Sequence, residues 1–524
     1  MNTQKILFIA ALIFHLSSSS GAIKNFKNSI TPRPLRAITH SPTIPVLKGI
    51  TVNPILRLTI SVPDELDKQT ITQIAGSFQA TNIQSIQQID LYLTDAEPFN
   101  TSHPVATINP TNSSFVIPVS LPLSPGVHFV WFSVILKSTA SIDGTIEIRC
   151  NSLTTQSGST ITVSKDNSNH VKRIGVAVRK ANDDNIHTYR IPGIIQTDRG
   201  TLIAVYDNRY MKSSDLPGNI DVGMSRSLDS GKTWEPMRVI IDMGVPHENN
   251  GVGDPAVLFD PITKKIWVAA LWSKGNRSIA GSLPGLSPDT TGQLVLVSSA
   301  DDGVTWTTPR SITPEVKNPA WHLFFDGPGS GIAMRDGKIV FAAQYWNEKK
   351  IPYSTLIYSD DHGANWNGKI NGPKSNTTES QLVETTPGTL LLNMRDNRGG
   401  YRSVATTSNM GQTWTEHATS FSALPDPVCM ASLIKSTVRY RGVVKPVLFF
   451  SNPSTTSGRY NISIKASLDL GESWKSQHQL LIDERNCFGY SSLTKLDANT
   501  IGLLYEGSRD LYFIKVPVKD ILKE

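Results

Sequence analysis

The 524-residue sequence has few cysteines, namely Cys150, Cys429 and Cys487. They are odd in number and widely separated, so they indicate neither a disulfide framework nor a cysteine-ligated metal cluster. A strong charge of one sign is also lacking, because 50 Lys and Arg against 44 Asp and Glu leave a net charge of only +6 without a basic run. Nucleic acid is therefore not an expected partner.

Long apolar runs are missing after the first 22 residues, where no segment offers the ~18 or more apolar residues of a membrane-spanning helix. We expect no transmembrane segment. The start of the chain differs, because Lys5, the apolar run 6–16 and the small polar cluster 17–22 follow the order of a secretory signal. No cysteine follows that run, so the usual bacterial lipid attachment residue is absent. We expect residues 1–22 to be removed and the protein to be exported, to the periplasm or the medium.

Long segments with helical periodicity are missing as well. Residues 23–169 are rich in Thr, Ser, Ile, Val and Pro, with short alternating runs such as 55–62 and 128–136. Such runs between turn residues predict a small N-terminal β-sandwich. The polar stretch 151–169 is expected to hold its last strand and a linker. This unit has no cluster of catalytic residue types, and we leave open whether it binds carbohydrate or packs on the rest of the chain.

A repeated eight-residue motif begins after residue 171. Residues 227–234 read Ser-Leu-Asp-Ser-Gly-Lys-Thr-Trp, residues 299–306 repeat the pattern Ser-x-Asp-x-Gly-x-Thr-Trp, and three looser copies follow, one with Asn in place of Asp. The five copies end at Trp234, Trp306, Trp366, Trp414 and Trp474. The Asp side chain can accept N–H bonds within its own turn, and Gly can take a positive φ. The motif thus predicts a β-hairpin turn whose Trp covers the apolar face of the hairpin, a structural and not a catalytic element.

Strand-like runs lie between these motifs, for example 201–206, 265–272 and 389–394. About 350 residues divided by a repeat of about 60 give about six units, each large enough for a four-stranded blade. We therefore predict that residues 170–524 form a six-bladed β-propeller and that the chain is all-β. A solenoid of stacked hairpins is the alternative, which the unequal spacing of the motifs disfavours.

One short stretch, residues 187–192, reads His-Thr-Tyr-Arg-Ile-Pro. Pro192 favours extended geometry at Ile191, so Arg190 is predicted to lie near the start of a strand. With this Arg-Ile-Pro motif and the five Asp boxes, the chain from about residue 171 to its end resembles the exported bacterial sialidases (neuraminidases). The resemblance implies a six-bladed propeller whose active site gathers residues from the inner strands of several blades.

The resemblance implies that Arg190, Arg395 and Arg459 form an arginine triad. Arg395 follows an apolar strand-like run, and Arg459 shortly precedes the last Asp box. Three converging guanidinium groups repel one another unless an anion lies between them, and a carboxylate matches their planar forks. Sialic acids carry such a carboxylate on the anomeric carbon.

The same resemblance implies that Tyr490, in the segment 488–493, is the nucleophile. A neutral phenol avoids the repulsion that an Asp or Glu would meet at an anomeric centre bearing a carboxylate, and sialidases with a Tyr nucleophile are known exceptions to the two-carboxylate rule. The phenol needs a partner base at neutral pH. Glu379 matches the glutamate of the family, and Glu384 is the alternative.

The acid/base is expected to be a carboxylic acid on a flexible loop over the site. Asp215, among Ser, Gly and Pro, matches it, and Asp221 is a competitor. Three further matches follow. Arg209 resembles the arginine beside the 4-hydroxyl of the sugar, Asp254 the aspartate near the hydroxyl and N-acetyl side, and Glu506 a buried counter-charge of Arg190.

The resemblance therefore implies a retaining exo-α-sialidase that hydrolyses terminal sialic acids of glycoproteins, glycolipids such as gangliosides, and oligosaccharides, without a metal or organic cofactor. A trans-sialidase or an intramolecular trans-sialidase would use the same residues and remains an alternative. A non-catalytic propeller that binds sialoglycans is a third possibility. It would not need Asp215, Tyr490 and Glu379 together.

Overall fold

The computed structural model describes residues 33–79, 82–94, 99, 103–275 and 277–523. The expected signal segment, residues 1–22, lies outside this range. The described residues form 38 strands, five short 3₁₀ turns and two short α-helices, Thr313–Val316 and Val518–Leu522. None of their helices is long and apolar enough to cross a membrane. The prediction of an all-β chain is confirmed.

The N-terminal unit consists of two packed β-sheets, as predicted. The strands of the first sheet, in spatial order, are Ser164–Lys165, Arg36–His40, Pro54–Val62, Gly126–Leu136, Ile86–Thr94 and Ala106–Ile108. The second sheet contains Ser114–Leu123, Gln69–Gln79, Thr145–Thr155 and Thr160–Thr162. Residues along Pro54–Val62 alternate between buried and half-buried positions. The buried face packs with the facing sheet in an apolar core that includes Leu58, Ile60, Phe132 and Ile148.

The second sheet does not end at the sandwich. Residues 171–173 of the strand Val171–Arg179 pair with residues 145–147, and residues 175–179 of the same strand pair with Leu511–Pro517 near the C-terminus. Val46–Lys48 runs parallel to this strand. The stretch 151–169, expected to be a strand and a linker, is mostly taken up by paired strands. One nine-stranded sheet therefore runs from the sandwich into the second part of the chain.

The second part of the chain is a six-bladed propeller, and its blades are numbered here in chain order. Blade 1 contains Thr188–Gln196, Leu202–Arg209, Ile220–Ser227 and Arg238–Ile241. Blade 2 contains Val252–Phe259, Ile266–Trp272, Gln293–Ser299 and Arg310–Ser311, with Gly329–Ser330 beside its first strand. Blade 3 contains Leu323–Asp326, Ile332–Ala333, Ile339–Trp346 and Pro352–Ser359.

The remaining blades follow the same plan. Blade 4 contains Thr377–Thr386, Thr389–Asp396, Ser403–Thr407 and Thr415–Glu416. Blade 5 contains Ser432–Tyr440, Val443–Pro453, Ile462–Ser467 and Gln479–Asp483. Blade 6 contains Ser491–Lys495, Thr500–Glu506, Leu511–Pro517 and, as its outer strand, Val171–Arg179. A two-stranded ribbon, Gly400–Tyr401 with Pro425–Asp426, links blades 4 and 5.

The first strands of neighbouring blades contact one another around the central axis. Separate apolar clusters fill the spaces between adjacent blades. One such cluster joins Val205 and Val222 of blade 1 to Val257 and Val268 of blade 2. Because the strands are buried on both faces, they read as near-continuous apolar runs, whereas the sandwich strands alternate.

The Asp boxes follow the third strand in blades 1, 2, 4 and 5 and the strand Pro352–Ser359 in blade 3, and they form the predicted turn. In the first box, Asp229 Oδ1 accepts the backbone N–H of Thr233 (2.9 Å) and Asp229 Oδ2 accepts its hydroxyl (2.7 Å). Gly231 has φ of 86°. The indole of Trp234 packs edge-on against Phe513 of blade 6, with ring centroids 5.4 Å apart. The box tryptophan thus packs against the neighbouring blade as well as its own hairpin.

Candidate active site

The first strands of three blades each place one side chain at the site through the same irregularity in strand pairing. Arg190, Asp254 and Glu379 are each the third residue of the first strand of their blade. In each strand the pairing register shifts at this residue or next to it, as in a β-bulge. A bulge re-aims side chains that regular alternation would direct elsewhere. The three side chains therefore reach one mouth of the central channel.

The second strands of the blades run in the opposite direction and end at this same mouth. Arg209 and Glu506 are the last residues of their strands, and Arg395 is the second last of its strand. Starts of first strands and ends of second strands therefore supply six of the nine predicted site residues. The other three come from loops and strand edges near that mouth: Asp215, Arg459 and Tyr490.

Arg190 lies near the start of its strand, as predicted, but Ile191 is not extended. Its φ is +57°, a left-handed conformation that is unusual for a β-branched residue. The Ile191 N–H donates to Glu506 Oε1 (2.9 Å), which also accepts from Arg190 Nε (3.0 Å). The local preference that Pro192 imposes is thus overridden by a buried carboxylate that binds two consecutive residues.

Glu506 is fully buried and accepts hydrogen bonds from blade 1 and from the residue that precedes the first strand of blade 6. Besides Arg190 and Ile191, it accepts the backbone N–H of Tyr490 at 2.8 Å. Although burial opposes a charge on Arg190, Glu506 and its neighbours keep the pKa of Arg190 above its ordinary value. Arg190 also packs against the ring of Phe488, 4.7 Å from its centroid. The guanidinium is therefore charged and held in one orientation.

Tyr490, Glu379 and Arg395 form a hydrogen-bonded trio in front of Arg190. The Tyr490 hydroxyl donates to Glu379 Oε1, Arg395 Nη1 donates to Glu379 Oε2 (2.5 Å), and the same nitrogen lies 3.1 Å from the Tyr490 hydroxyl. Burial and the charge of Glu379 raise the pKa of Tyr490 well above its ordinary value, against the opposite effect of Arg395 and Arg190. The resting phenol is therefore neutral, with its proton directed at a carboxylate.

Arg459 approaches the same phenol from the other side. Its guanidinium lies 5.6 Å from the centroid of the Tyr490 ring. Nη1 donates to the carbonyl of Phe488 and Nη2 to the carbonyl of Val428, both at 2.9 Å. Arg190, Arg395 and Arg459 thus surround one tyrosine. Only Arg190 and Arg395 have a carboxylate partner among the described residues.

Asp215 lies on the loop between the second and third strands of blade 1. Its side chain is 62% exposed, and Oδ1 lies 2.8 Å from Arg209 Nη1 and 3.3 Å from Arg190 Nη1. Partial burial favours a higher pKa for Asp215, but Arg209 and Arg190 lower the pKa below its ordinary value. The neighbouring Leu216 packs into an apolar cluster with Leu323 and other residues, which anchors the loop.

Asp254 and Arg209 share a buried neighbour, Asp207. Arg209 donates to Asp207 Oδ2 through Nε (3.0 Å) and Nη2 (2.8 Å), and Asp254 donates its backbone N–H to Asp207 Oδ1 (2.8 Å). Burial, followed by Asp207, Asp215 and Glu379, raises the pKa of Asp254 well above its ordinary value. This shift favours the protonated form of Asp254, which can donate a hydrogen bond to a sugar oxygen.

The two competing carboxylates lie elsewhere. Asp221 pairs across the sheet with Asn208, so it lies on the opposite face from Arg209, near Asp242 and His247. Glu384 is five residues further along its strand than Glu379, roughly 16 Å away in an extended chain. It lines a cavity of about 560 Å³ that includes strand ends at the opposite mouth of the channel.

Several residues at the site were not predicted from the sequence, chiefly Asp207, Phe488 and Val428. Asp207 lies two residues before Arg209 on the same strand, and Phe488 two residues before Tyr490. Strand alternation places residues two apart on one face, and this signal could have pointed to Asp207. Val428 contributes only a backbone carbonyl, which has no sequence signature.

Comparison with known proteins shows the family. The model of a BNR repeat-like domain matches residues 191–499, and that of the N-terminal domain of BNR-repeat neuraminidase matches residues 36–159. A sialidase of Bacteroides fragilis is 42% identical over 498 residues, which cover 88% of this chain and 91% of that protein. Hadza microbial sialidase Hz136 superimposes with a TM-score of 0.85 at 39% identity, over 92% of this chain and 100% of the other.

A more distant structure shares the fold. Trypanosoma rangeli sialidase aligns with a TM-score of 0.55 at 24% identity, over 64% of this chain and 56% of its own. The six-bladed propeller and the similarity to the two more similar sialidases place the chain among the glycoside hydrolases with a propeller fold. The chain belongs to the BNR-repeat neuraminidase family and is a sialidase, as the sequence resemblance implied.

Proposed function

We propose that this sialidase is a retaining exo-α-sialidase that works through a covalent intermediate on Tyr490. The observation that carries the proposal is the Tyr490 hydroxyl, which donates to Glu379 within a ring of three arginines. A carboxylate partner for a tyrosine is the arrangement that an activated phenol nucleophile requires.

The substrate carboxylate would bind between Arg190, Arg395 and Arg459. Two of these guanidinium groups are held by buried or half-buried carboxylates and the third by two carbonyls, so their orientation is set before the substrate arrives. Preorganised donors reduce the entropy that binding costs. Planar guanidinium forks suit a carboxylate better than ammonium groups do.

Asp215 is the proposed acid/base. In the free protein its carboxylate contacts Arg190 and Arg209, which favours the ionised form. A substrate carboxylate on Arg190 would replace the Asp215 carboxylate there and place another negative charge nearby. Both effects raise the pKa of Asp215, so substrate binding itself would favour the protonated acid.

The proposed reaction then takes two steps. The Tyr490 oxygen attacks the anomeric carbon, its proton passes to Glu379, and the glycosidic bond breaks as Asp215 protonates the leaving oxygen. In the second step water attacks the anomeric carbon and gives a proton to Asp215. The Tyr490–sugar bond breaks, and Glu379 returns the proton to the phenolate. Configuration at the anomeric carbon is retained.

The proposed substrates are terminal sialic acids on glycoproteins, glycolipids and oligosaccharides, met outside the cytoplasm after export. A sialic acid suits the site because three converging guanidinium groups can bind the carboxylate that this sugar carries on its anomeric carbon. Export rests on the apolar N-terminal run alone. Comparing the N-terminal residue of the protein from the producing cell with that of the full-length chain tests it.

The mechanism is tested by trapping with a 3-fluorosialyl fluoride, followed by proteolysis and mass spectrometry. We expect one fluorosialyl adduct on Tyr490. When hydrolysis of an aryl sialoside is followed by NMR, we expect the α-anomer of sialic acid to be the first product. The matched control is Tyr460→Phe, at a partly exposed tyrosine near Arg459, which should leave labelling unchanged. A label on another residue, or a β-anomer as first product, contradicts the proposal. Repeating the reaction with lactose separates hydrolysis from transfer.

A further inference from the structure

Arg402 is a fully buried arginine behind the site, immediately before the third strand of blade 4. Its Nε donates to Asn393 Oδ1 (2.7 Å) and its Nη2 to the Asn393 carbonyl (3.2 Å). Its Nη1 donates to the Cys429 carbonyl (2.6 Å) and lies 3.5 Å from Asp426 Oδ2. One planar guanidinium therefore joins two segments of the chain that are distant in sequence.

Each of these segments leads to a different arginine of the triad. Asn393 lies on the strand Thr389–Asp396, two residues before Arg395. Cys429 directly follows Val428, whose carbonyl accepts from Arg459 Nη2 at 2.9 Å. The guanidinium of Arg402 thus contacts both the strand that carries Arg395 and the segment whose carbonyl binds Arg459.

Val428 has a conformation that its own sequence does not favour. Its φ is +58°, which is an outlier for a β-branched residue. Such conformations persist only where the surroundings determine them. Here Asp426 Oδ1 accepts the Cys429 N–H (3.0 Å), and Asp426 Oδ2 accepts from Asn452 Nδ2 (3.1 Å). Arg402 adds its bond to the Cys429 carbonyl, so the residue after Val428 is held through both its N–H and its carbonyl.

We propose that Arg402 is a positioning residue that sets the placement of Arg395 relative to Arg459 and thereby the affinity for the substrate carboxylate. The proposal rests on the proposed function, since it assumes that these arginines bind that carboxylate. Arg402 itself does not touch the substrate. A lysine could not replace it, because a single ammonium group lacks the planar fork that reaches Asn393 and Cys429 together.

The test uses the full chain with Arg402→Lys, Arg402→Met and Val428→Gly. The probes are sialic acid and its C1 carboxamide, whose dissociation constants are measured by calorimetry, and an aryl sialoside for kcat and KM. We expect the Arg402 variants to bind the acid on the order of tenfold more weakly and the carboxamide unchanged, with KM raised and kcat within about twofold. Val428→Gly takes the same φ without strain, and we expect it to keep its thermal stability while KM rises a few-fold because the carbonyl is less firmly held.

Arg398→Met is the control, because Arg398 is a partly exposed arginine of the same blade that pairs with Asp396. It should leave both dissociation constants unchanged. Equal losses for acid and carboxamide would show that Arg402 is only structural and overturn the proposal. If the Arg402 variants fail to fold, an unchanged KM in Val428→Gly overturns it. If the wild-type protein itself binds both probes equally, the proposed function fails instead.

Discussion

Replacing Glu506 by Gln removes the buried charge on which Arg190 depends. Glu506 accepts from four N–H groups: Arg190 Nε (3.0 Å) and Nη2 (3.5 Å), Ile191 N (2.9 Å) and Tyr490 N (2.8 Å). A glutamine has one acceptor oxygen, so its NH₂ group would face two of these donors. Among the described residues, the carboxylate partner left to Arg190 would be Asp215, whose side chain is 62% exposed.

The size of the effect follows from these contacts. Removing one member of a buried ion pair costs about 3–5 kcal/mol, because the remaining charge is left without compensation. The same carboxylate orients the triad arginine and the backbone of Tyr490, and a displacement of about 1 Å at such groups can lower the rate about a hundredfold. We therefore expect Glu506→Gln to lower the free energy of unfolding by about 3–5 kcal/mol. We also expect kcat/KM to fall by at least about a hundredfold.

The measurements are the urea midpoint, followed by tryptophan fluorescence, and the hydrolysis of an aryl sialoside. Glu472→Gln is the matched control, because Glu472 is 67% exposed and pairs with His417 at 3.3 Å. Because the carboxylate of this pair is exposed, we expect the pair to contribute about 0–1 kcal/mol and the control to resemble the wild type. If Glu506→Gln has the urea midpoint of the control and kcat/KM within threefold of the wild type, the buried carboxylate does not hold Arg190 as argued.

Three other outcomes are expected. Tyr490→Phe should lower aryl sialoside hydrolysis by at least about a thousandfold without a change in the urea midpoint, and wild-type rates would refute the nucleophile. The basic limb of the pH profile of kcat should lie at higher pH than that of kcat/KM, because the substrate releases Asp215 from Arg190; coincident limbs would contradict this. Asn409→Asp should stabilise the fourth Asp box by about 0.5 kcal/mol at pH 6. In the second Asp box, hydrogen bonds from Thr305 and the backbone lower the pKa of Asp301 to about 2. The stability gained by Asn409→Asp should therefore vanish as the pH falls from about 4 to 2. A gain that persists at pH 2 would contradict this prediction.

The Asp boxes could be predicted from the sequence because the turn is a local structure. In each box the accepting side chain, the glycine and the groups that donate to the side chain lie within about one turn of chain, so the motif contains its own explanation. The number of blades followed from the spacing. The orientation of each tryptophan toward the neighbouring blade did not, because that partner is far away in sequence, as Phe513 is for Trp234.

The candidate site is predictable to the extent that side chains with a recognisable motif form it. Arg190, Tyr490 and Glu379 stand in such motifs, and the structure brings them together. Backbone groups and buried supports carry no comparable signal. Arg402 in the sequence reads as an ordinary arginine beside a strand, and only its contacts with Asn393 and Cys429 distinguish it.

The join between the sandwich and the propeller also lies beyond sequence reasoning, and it has a physical consequence. The strand Val171–Arg179 closes the propeller by pairing with the last C-terminal strand, Leu511–Pro517, and its first residues pair with the sandwich. Blade 6 therefore needs residues from both the beginning and the end of the propeller sequence. Deleting residues 1–165 leaves this strand in place but removes the sandwich strand that pairs with it. Deleting residues 1–179 removes the outer strand of blade 6. Because Glu506 and Tyr490 both belong to blade 6 or lie next to it, the second truncation should damage the site even though it deletes none of its residues.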